Sequence, residues 1–151
     1  TLFRSGPTAM LPIFNILGNG YKTKNIVSHI DDEGHDQFTK IIFLYDHAVA
    51  SATVAKGVKS EGELIVSGTK GYIYVPAPWW KTDYFEIRYE EASQNKRYFY
   101  QLDGEGIRYE LVAFTRAIES GRNLSYVDSN VSNRICEVVG DFYAQKDCAM
   151  I

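Results

Sequence analysis

The chain has 151 residues, with 16 Lys and Arg against 19 Asp and Glu for a net charge of −3, and it is 45% hydrophobic, 14% aromatic and 23% charged. That length suits one domain with a sizeable core, so a single domain over 1–151 is expected. Ordinary apolar content excludes disorder, scattered basic residues leave no footprint for nucleic acid or an anionic membrane surface, and no apolar run approaches the ~20 residues a bilayer requires.

From the N-terminus, Met10, Ile13, Phe14 and Leu17 recur at helical spacing and Gly18 is a natural stop. Pro12 falls inside the pattern, which predicts a short or distorted helix. From Tyr21 the period changes to two. Candidate strands are Lys22–Ile30, Gln37–Tyr45, Ala48–Val58, Glu63–Gly68, Gly71–Val75, Tyr84–Tyr89 and Arg97–Leu102, rich in Val, Ile, Tyr, Phe and Thr. Their spacers are too short for crossover helices, so the sheet should be largely antiparallel, with tight turns at Asp46-His47 and Thr69-Lys70. Alternation sets an aliphatic face (Ile73, Val75) against a tyrosine-bearing one, to which Tyr72, Tyr74, Tyr84, Tyr98 and Tyr100 are assigned. An uncovered aromatic face of that size should meet a partner, so a homo-oligomer through this face is expected.

After Asp103 the period becomes 3.6. Ile107, Leu111, Phe114 and Ile118 form one stripe ending at Gly121, and Val131, Ile135, Val138, Val139 and Phe142 form a second after the cap candidates Asp128 and Ser129. Two amphipathic helices after a long sheet predict an α+β fold, in which a large, mostly antiparallel open-faced sheet has helices packed on its aliphatic face. The tail over 144–151 is expected to fray.

Asp103-Gly104-Glu105-Gly106 before a helix, with Asp128 downstream, partly fits a dinucleotide fingerprint. However, Tyr109 stands where the third glycine belongs, and Leu124–Val127 is the one strand candidate left to complete the unit. A glycine-rich turn into a helix is the better reading, with Glu105 favoured there by the helix dipole. His35 among Asp31, Asp32, Glu33 and Asp36 reads as a solvated hairpin loop, and no metal site is expected. Cys136 and Cys148 read as reduced thiols of a cytoplasmic protein. No nucleophile signature stands out, and a chain that opens on Thr1 is expected to be a piece of something longer. Pro76-Ala77-Pro78-Trp79-Trp80-Lys81 is a stiff loop presenting two indoles, suited either to capping a core or subunit contact or to forming a flat wall for a sugar-like ligand.

Taken in order, Gly6–Gly18, the run from Glu63 through Gly68-Thr69-Lys70-Gly71-Tyr72-Ile73 to Pro76, the Pro78-Trp79-Trp80 loop, and Tyr109-Glu110 with Phe114, Ala117, Ile118 and Gly121 resemble the C-terminal domain of the Gfo/Idh/MocA oxidoreductases, the glucose–fructose oxidoreductase and inositol dehydrogenase family. The resemblance covers nearly the whole chain and implies a glyceraldehyde-3-phosphate dehydrogenase-like C-terminal fold whose uncovered sheet face serves oligomerisation. It also implies hydride transfer between NAD or NADP and a sugar or cyclitol hydroxyl. The cofactor belongs to an N-terminal Rossmann domain with a Glu-Lys-Pro motif, so neither cofactor binding nor activity is expected of this chain alone.

One departure matters. The family often carries an Asp and, four residues later, a His on the helix that opens this domain, whereas the comparable stretch here is Met10-Leu11-Pro12-Ile13-Phe14-Asn15-Ile16. A neutral side chain cannot exchange the hydroxyl proton. Asn15, Trp79, Trp80 and Tyr109 are the substrate-side candidates that loop placement and resemblance support, and the catalytic groups stay unassigned. A non-catalytic assembly or carbohydrate-binding module of the same fold is the alternative.

Overall fold

A computed structural model of the protein describes residues 1–104, 106–123 and 125–151. The chain divides into two compact units, Thr1–Lys59 with Tyr126–Ile151, and Ser60–Ser125. Each unit carries one four-stranded sheet, so the strands read from the sequence are shared between two sheets of an α+β chain.

In the first unit, α1 (Leu2–Leu17) leads into β1 (Thr23–Ile30), β2 (Asp36–Leu44) and β3 (Val49–Ala55). The helix is longer than Pro12 predicts and holds both Pro7 and Pro12 in its interior. The carbonyls these prolines leave unbonded belong to Phe3 and Thr8, both on the exposed side where water can serve them. Meanwhile Leu2, Gly6, Met10, Ile13 and Phe14 bury a continuous stripe, and that burial outweighs the ~3 kcal/mol each proline costs in a helix interior. Gly6 belongs to the packing, since a Cβ there would lie 2.6 Å from Leu2 Cδ1. At the helix start, the Leu2 N–H donates to Asp36 Oδ2 at 2.6 Å, so an acid from β2 serves as a cap.

The strands pair antiparallel in the order β3-β2-β1, with Ile26 opposite Ile41 and Ile41 opposite Ala52. That register puts Ile26, Thr39, Ile41, Phe43, Ala52 and Val54 on one buried face. Facing them are α1 and α3 (Ser129–Tyr143), whose buried residues Val131, Ile135, Val138, Val139 and Phe142 match the stripe read from the sequence. Asp128 caps α3, its Oδ1 accepting from the Asn130 N–H at 2.8 Å. Phe14, Tyr21 and Phe43 form an aromatic cluster with ring centroids 5.1 to 6.2 Å apart. The Tyr45 hydroxyl donates to the Gly18 carbonyl at 2.8 Å and ties down the helix end.

The tail does not fray. After α3 the chain turns through Gln145 and Asp147, both at positive φ, and Cys148–Met150 form β8, parallel to β1. Its backbone is held by Ile26 N–H to Asp147 O at 2.8 Å and by reciprocal bonds of 2.9 Å between Ile151 and the Ser28–Ile30 segment. Those ladder bonds, together with Cys148 packed against the core, keep the segment ordered.

In the second unit, β4 (Leu64–Ser67), β5 (Gly71–Val75), β6 (Tyr84–Tyr89) and β7 (Lys96–Phe99) form an antiparallel meander, followed by α2 (Ile107–Ser120). Both tight turns occur as read, at Asp46-His47 between β2 and β3 and at Thr69-Lys70 between β4 and β5. Gly71 is required where it stands, because a Cβ would lie 2.5 Å from the Arg88 carbonyl oxygen on the neighbouring strand. The expectation that both closing helices seal a sheet holds for α3 and not for α2, which buries no residue at all. Glu105 and Leu124, which bear on the turn into α2 and on the strand candidate Leu124–Val127, lie outside the described residues.

Candidate functional site

The second unit places its aromatic and charged side chains on a regular frame. Register pairs Tyr72 with Arg88, Tyr74 with Glu86, Tyr84 with Phe99 and Glu86 with Arg97, so all of these project from one face. Glu86 sits at the centre. It accepts from Arg88 Nε at 2.6 Å and forms a second ion pair with Arg97, and the two guanidinium groups hold its carboxyl below the usual carboxylate range. Arg88 also lies 4.3 Å from the Tyr74 ring centroid and Arg97 lies 4.8 Å from that of Tyr84. The Tyr72 hydroxyl and then Glu86 stabilise the Arg88 charge. The tyrosines thus lie against two cations that share the one carboxylate of Glu86.

Tyr98 departs from that face. Its partner across the ladder is Phe85, and the two rings stack at 5.1 Å and 16° on the opposite side of the sheet. Alternation within one strand cannot fix parity across a loop, and a shift of one residue exchanges faces. Tyr100 lies beyond β7 and is exposed, its N–H bonded to Asp83 O at 2.7 Å.

The tryptophan loop connects β5 to β6. Its Trp79 N–H donates to Gly62 O at 3.0 Å, and the Lys81 N–H closes a turn onto Pro78 O at 2.9 Å. The rings of Trp79 and Trp80 meet edge to face at 6.0 Å. Gly62, at φ 78°, lies under Trp80, whose ring carbons would come within 3.6 Å of a Cβ there. Trp79 is half-buried and Trp80 is 52% exposed. One indole therefore anchors the loop and the other presents a supported, solvent-facing ring.

The remaining substrate-side candidates sit elsewhere. Asn15 lies on the exposed side of α1, in the first unit. Tyr109 is engaged locally, its hydroxyl accepting from the Asp103 N–H at 2.9 Å beside the glycines that lead into α2. That bond occupies a backbone donor a phosphate would need, and β7, which precedes this turn, is an antiparallel edge strand. The described residues do not fit a dinucleotide cradle.

A second polar site was not visible in the sequence. In the first unit a cleft of about 630 Å³ is lined by Tyr21, Lys24, Arg134, Glu137, Asp141 and Asp147, among others. The Lys24 side chain, 4% exposed, donates to Asp141 at 2.7 Å and to Asp147 at 2.8 Å. Burial alone would push the Lys24 pKa down, but the two carboxylates outweigh it and hold the group above its ordinary value. In turn Lys24 holds Asp141 below the usual carboxylate range. A lysine this firmly protonated is no general base. It ties the end of α3 and the start of β8 to β1. The available signal was alternation, since Lys24 falls in step with Ile26 and Ser28 on the buried face of β1.

Among the described residues, no group of three or more His, Cys, Asp or Glu could hold a metal ion, and no helix is long and apolar enough to cross a membrane.

Comparison with solved structures shows where this architecture recurs. Three structures of KijD10, a 3-ketoreductase from Actinomadura kijaniata in complex with TDP-benzene and NADP, two of them point mutants, match with TM-scores of 0.80, 0.81 and 0.80 at 13% identity. The matches cover 99% of this chain and 48%, 48% and 47% of KijD10. The chain therefore spans about half the length of the structures it matches. No protein-family model and no curated protein sequence matches it. At that identity the likeness is one of fold: the chain has the α+β architecture of about half of KijD10.

Proposed function

We propose that this chain is the substrate-binding and assembly half of an NAD(P)-dependent oxidoreductase of the Gfo/Idh/MocA type, transferring hydride to or from a sugar or cyclitol carbon. The observation that carries the reading is the TM-score of 0.80 over 99% of the chain against an enzyme solved with NADP and TDP-benzene. The motif order from Gly6 to Gly121 supports it independently. NAD or NADP would be held by the half of the parent protein that has no counterpart here, so no step of the redox chemistry is assigned to this chain. Its contribution is binding. The supported face of Trp80, with Trp79 behind it, suits the C–H face of a pyranose or cyclitol ring. Asn15 cannot remove a proton, so proton transfer requires a group other than Asn15. The face bearing Tyr72, Tyr74 and Tyr84 is the oligomer contact, with Tyr98 and Tyr100 outside it. Free Cys136 and Cys148 suit a cytoplasmic enzyme.

The test uses the product of the whole reading frame, assayed by nicotinamide absorbance against nucleotide-linked keto sugars, free sugars and cyclitols. The expected result is turnover with one of these classes. Trp80→Ala should raise KM about tenfold with kcat nearly unchanged, as loss of a stacking contact made equally in ground and transition states predicts. A product that binds neither NADH nor NADPH overturns the reading in favour of a non-catalytic module. Light scattering showing a monomer at high concentration would remove the oligomer role.

A further inference from the structure

Gly62, two residues before β4, meets both members of the tryptophan pair with backbone alone. Its carbonyl accepts the Trp79 N–H at 3.0 Å and so ties down the loop between β5 and β6. Its Cα stands beside the outer corner of the Trp80 indole, where a Cβ would lie 3.6 Å from Cζ3 and 3.7 Å from Cη2. Those are ordinary contact distances, so a methyl group has room there. The backbone is what resists a side chain. Gly62 stands at φ 78°, in the left-handed region that L residues avoid because Cβ crowds the following carbonyl oxygen. Rotating φ to a negative value relieves that crowding, but it swings the very carbonyl that holds Trp79. Trp80 follows directly in the chain and packs edge to face on Trp79 at 6.0 Å, so both rings depend on that one bond.

We propose that Gly62 is a positioning residue for the sugar-stacking ring of Trp80 and acts through its left-handed backbone, an inference that rests on the carbohydrate reading of the tryptophan loop above. Trp80 is 52% exposed, so its ring is placed by the loop that carries it and not by a surrounding core. A ring held in place before the ligand arrives binds without a further ordering cost, whereas a loosened one must be ordered by the ligand and binds more weakly. The contact is made equally in the ground and transition states, so its loss falls on KM.

The experiment uses the whole reading-frame product with NADP, and the probe is whichever of D-glucose, myo-inositol and a TDP-linked hexose it oxidises. Gly62→Ala should raise KM about fivefold with kcat within about twofold of wild type. Gly62→Asn is bulkier yet tolerates left-handed backbone, so its KM should rise at most about twofold, while Gly62→Val should exceed Gly62→Ala. In a Trp80→Ala background, Gly62→Ala should add nothing, because the ring it places is gone. If Gly62→Val does not fold, the Asn and Ala variants still give the order. An unchanged KM in Gly62→Ala, a KM that rises with side-chain size, a kcat that falls with it, or a further loss on top of Trp80→Ala overturns this inference. The carbohydrate reading then stands as long as Trp80→Ala itself raises KM. An unaffected KM in Trp80→Ala, or oxidation of none of the three probes, overturns both.

Discussion

The two sheets have equal strand number and opposite economies of burial. In the first unit, β1, β2 and β3 turn one face to α1 and α3, and Ile26, Ile41, Phe43 and Val138 are at most 1% exposed. In the second, no described residue is buried, and every position of β6 is half-exposed. Order there comes from ladder hydrogen bonds, the Phe85–Tyr98 stack and the arginine–tyrosine contacts around Glu86. Apolar burial is the dominant favourable term in folding, so the first unit holds most of the stability of this chain.

Matched truncations test that division most strongly. Phe43→Ala, in the aromatic cluster with Phe14 and Tyr21, should cost about 3–5 kcal/mol. Phe85→Ala removes a ring of the same size from a half-exposed stack and should cost about 1 kcal/mol. Urea unfolding of both variants gives the comparison, and equal losses would break it.

The next largest effect belongs to Lys24. Lys24→Met leaves Asp141 and Asp147 facing the cleft without their cation and should cost about 3 kcal/mol, the low end for a buried pair because Asp147 is half-exposed. The pH dependence follows from the direction of the shifts. The Asp141 pKa is lowered from 3.8, so its contribution is present above that value and is lost as pH falls through the lower folded value. The Lys24 pKa is raised from 10.5, so its contribution is full below that value and disappears as pH rises through the higher folded value. Wild-type stability should therefore fall at both extremes, and Lys24→Met should flatten both limbs in thermal melts taken across the pH range.

A smaller effect tests how α3 is seated. Asp128→Ala removes the acceptor of the Asn130 N–H and should cost about 1 kcal/mol, with Asp128→Ser restoring most of it. Far-ultraviolet melts of the pair would show it.

What could be read from the sequence follows the same division. The α3 stripe was legible to the residue because a 3.6 period with a good cap has one physical solution. Both tight turns were legible because flanking alternation defines them. The length of α1 was not, since Pro12 argues locally for a stop and burial by β-strands far along the chain overrules it. Nor was β8, because three residues in a parallel pair carry no period of their own. The assignment of Tyr98 failed for a related reason: parity is a property of register, and register is set by the loop between β6 and β7. Of the candidate site, the tryptophan loop was legible from its prolines. The Lys24 cluster was not, because its members come together only once β8 closes the edge of the sheet.

The smallest expected effect is on the tyrosine face, and it separates structure from surface. Glu86→Gln removes the charge that both Arg88 and Arg97 address, while keeping side-chain length and one acceptor oxygen. Because this network lies on an open sheet face, salt screens it, with a Debye length of about 10 Å at 0.1 M. The variant should therefore melt slightly below the wild type at low ionic strength, with the gap closing as salt is added. The two released guanidinium groups still lie over Tyr74 and Tyr84, so the rings should stay placed and the strand order should survive. Assembly should respond more than folding does, since like copies of a face with two uncompensated arginines repel one another. A salt-independent loss of stability in Glu86→Gln would instead make Glu86 part of a core, and the contrast between the two sheets would lose its basis.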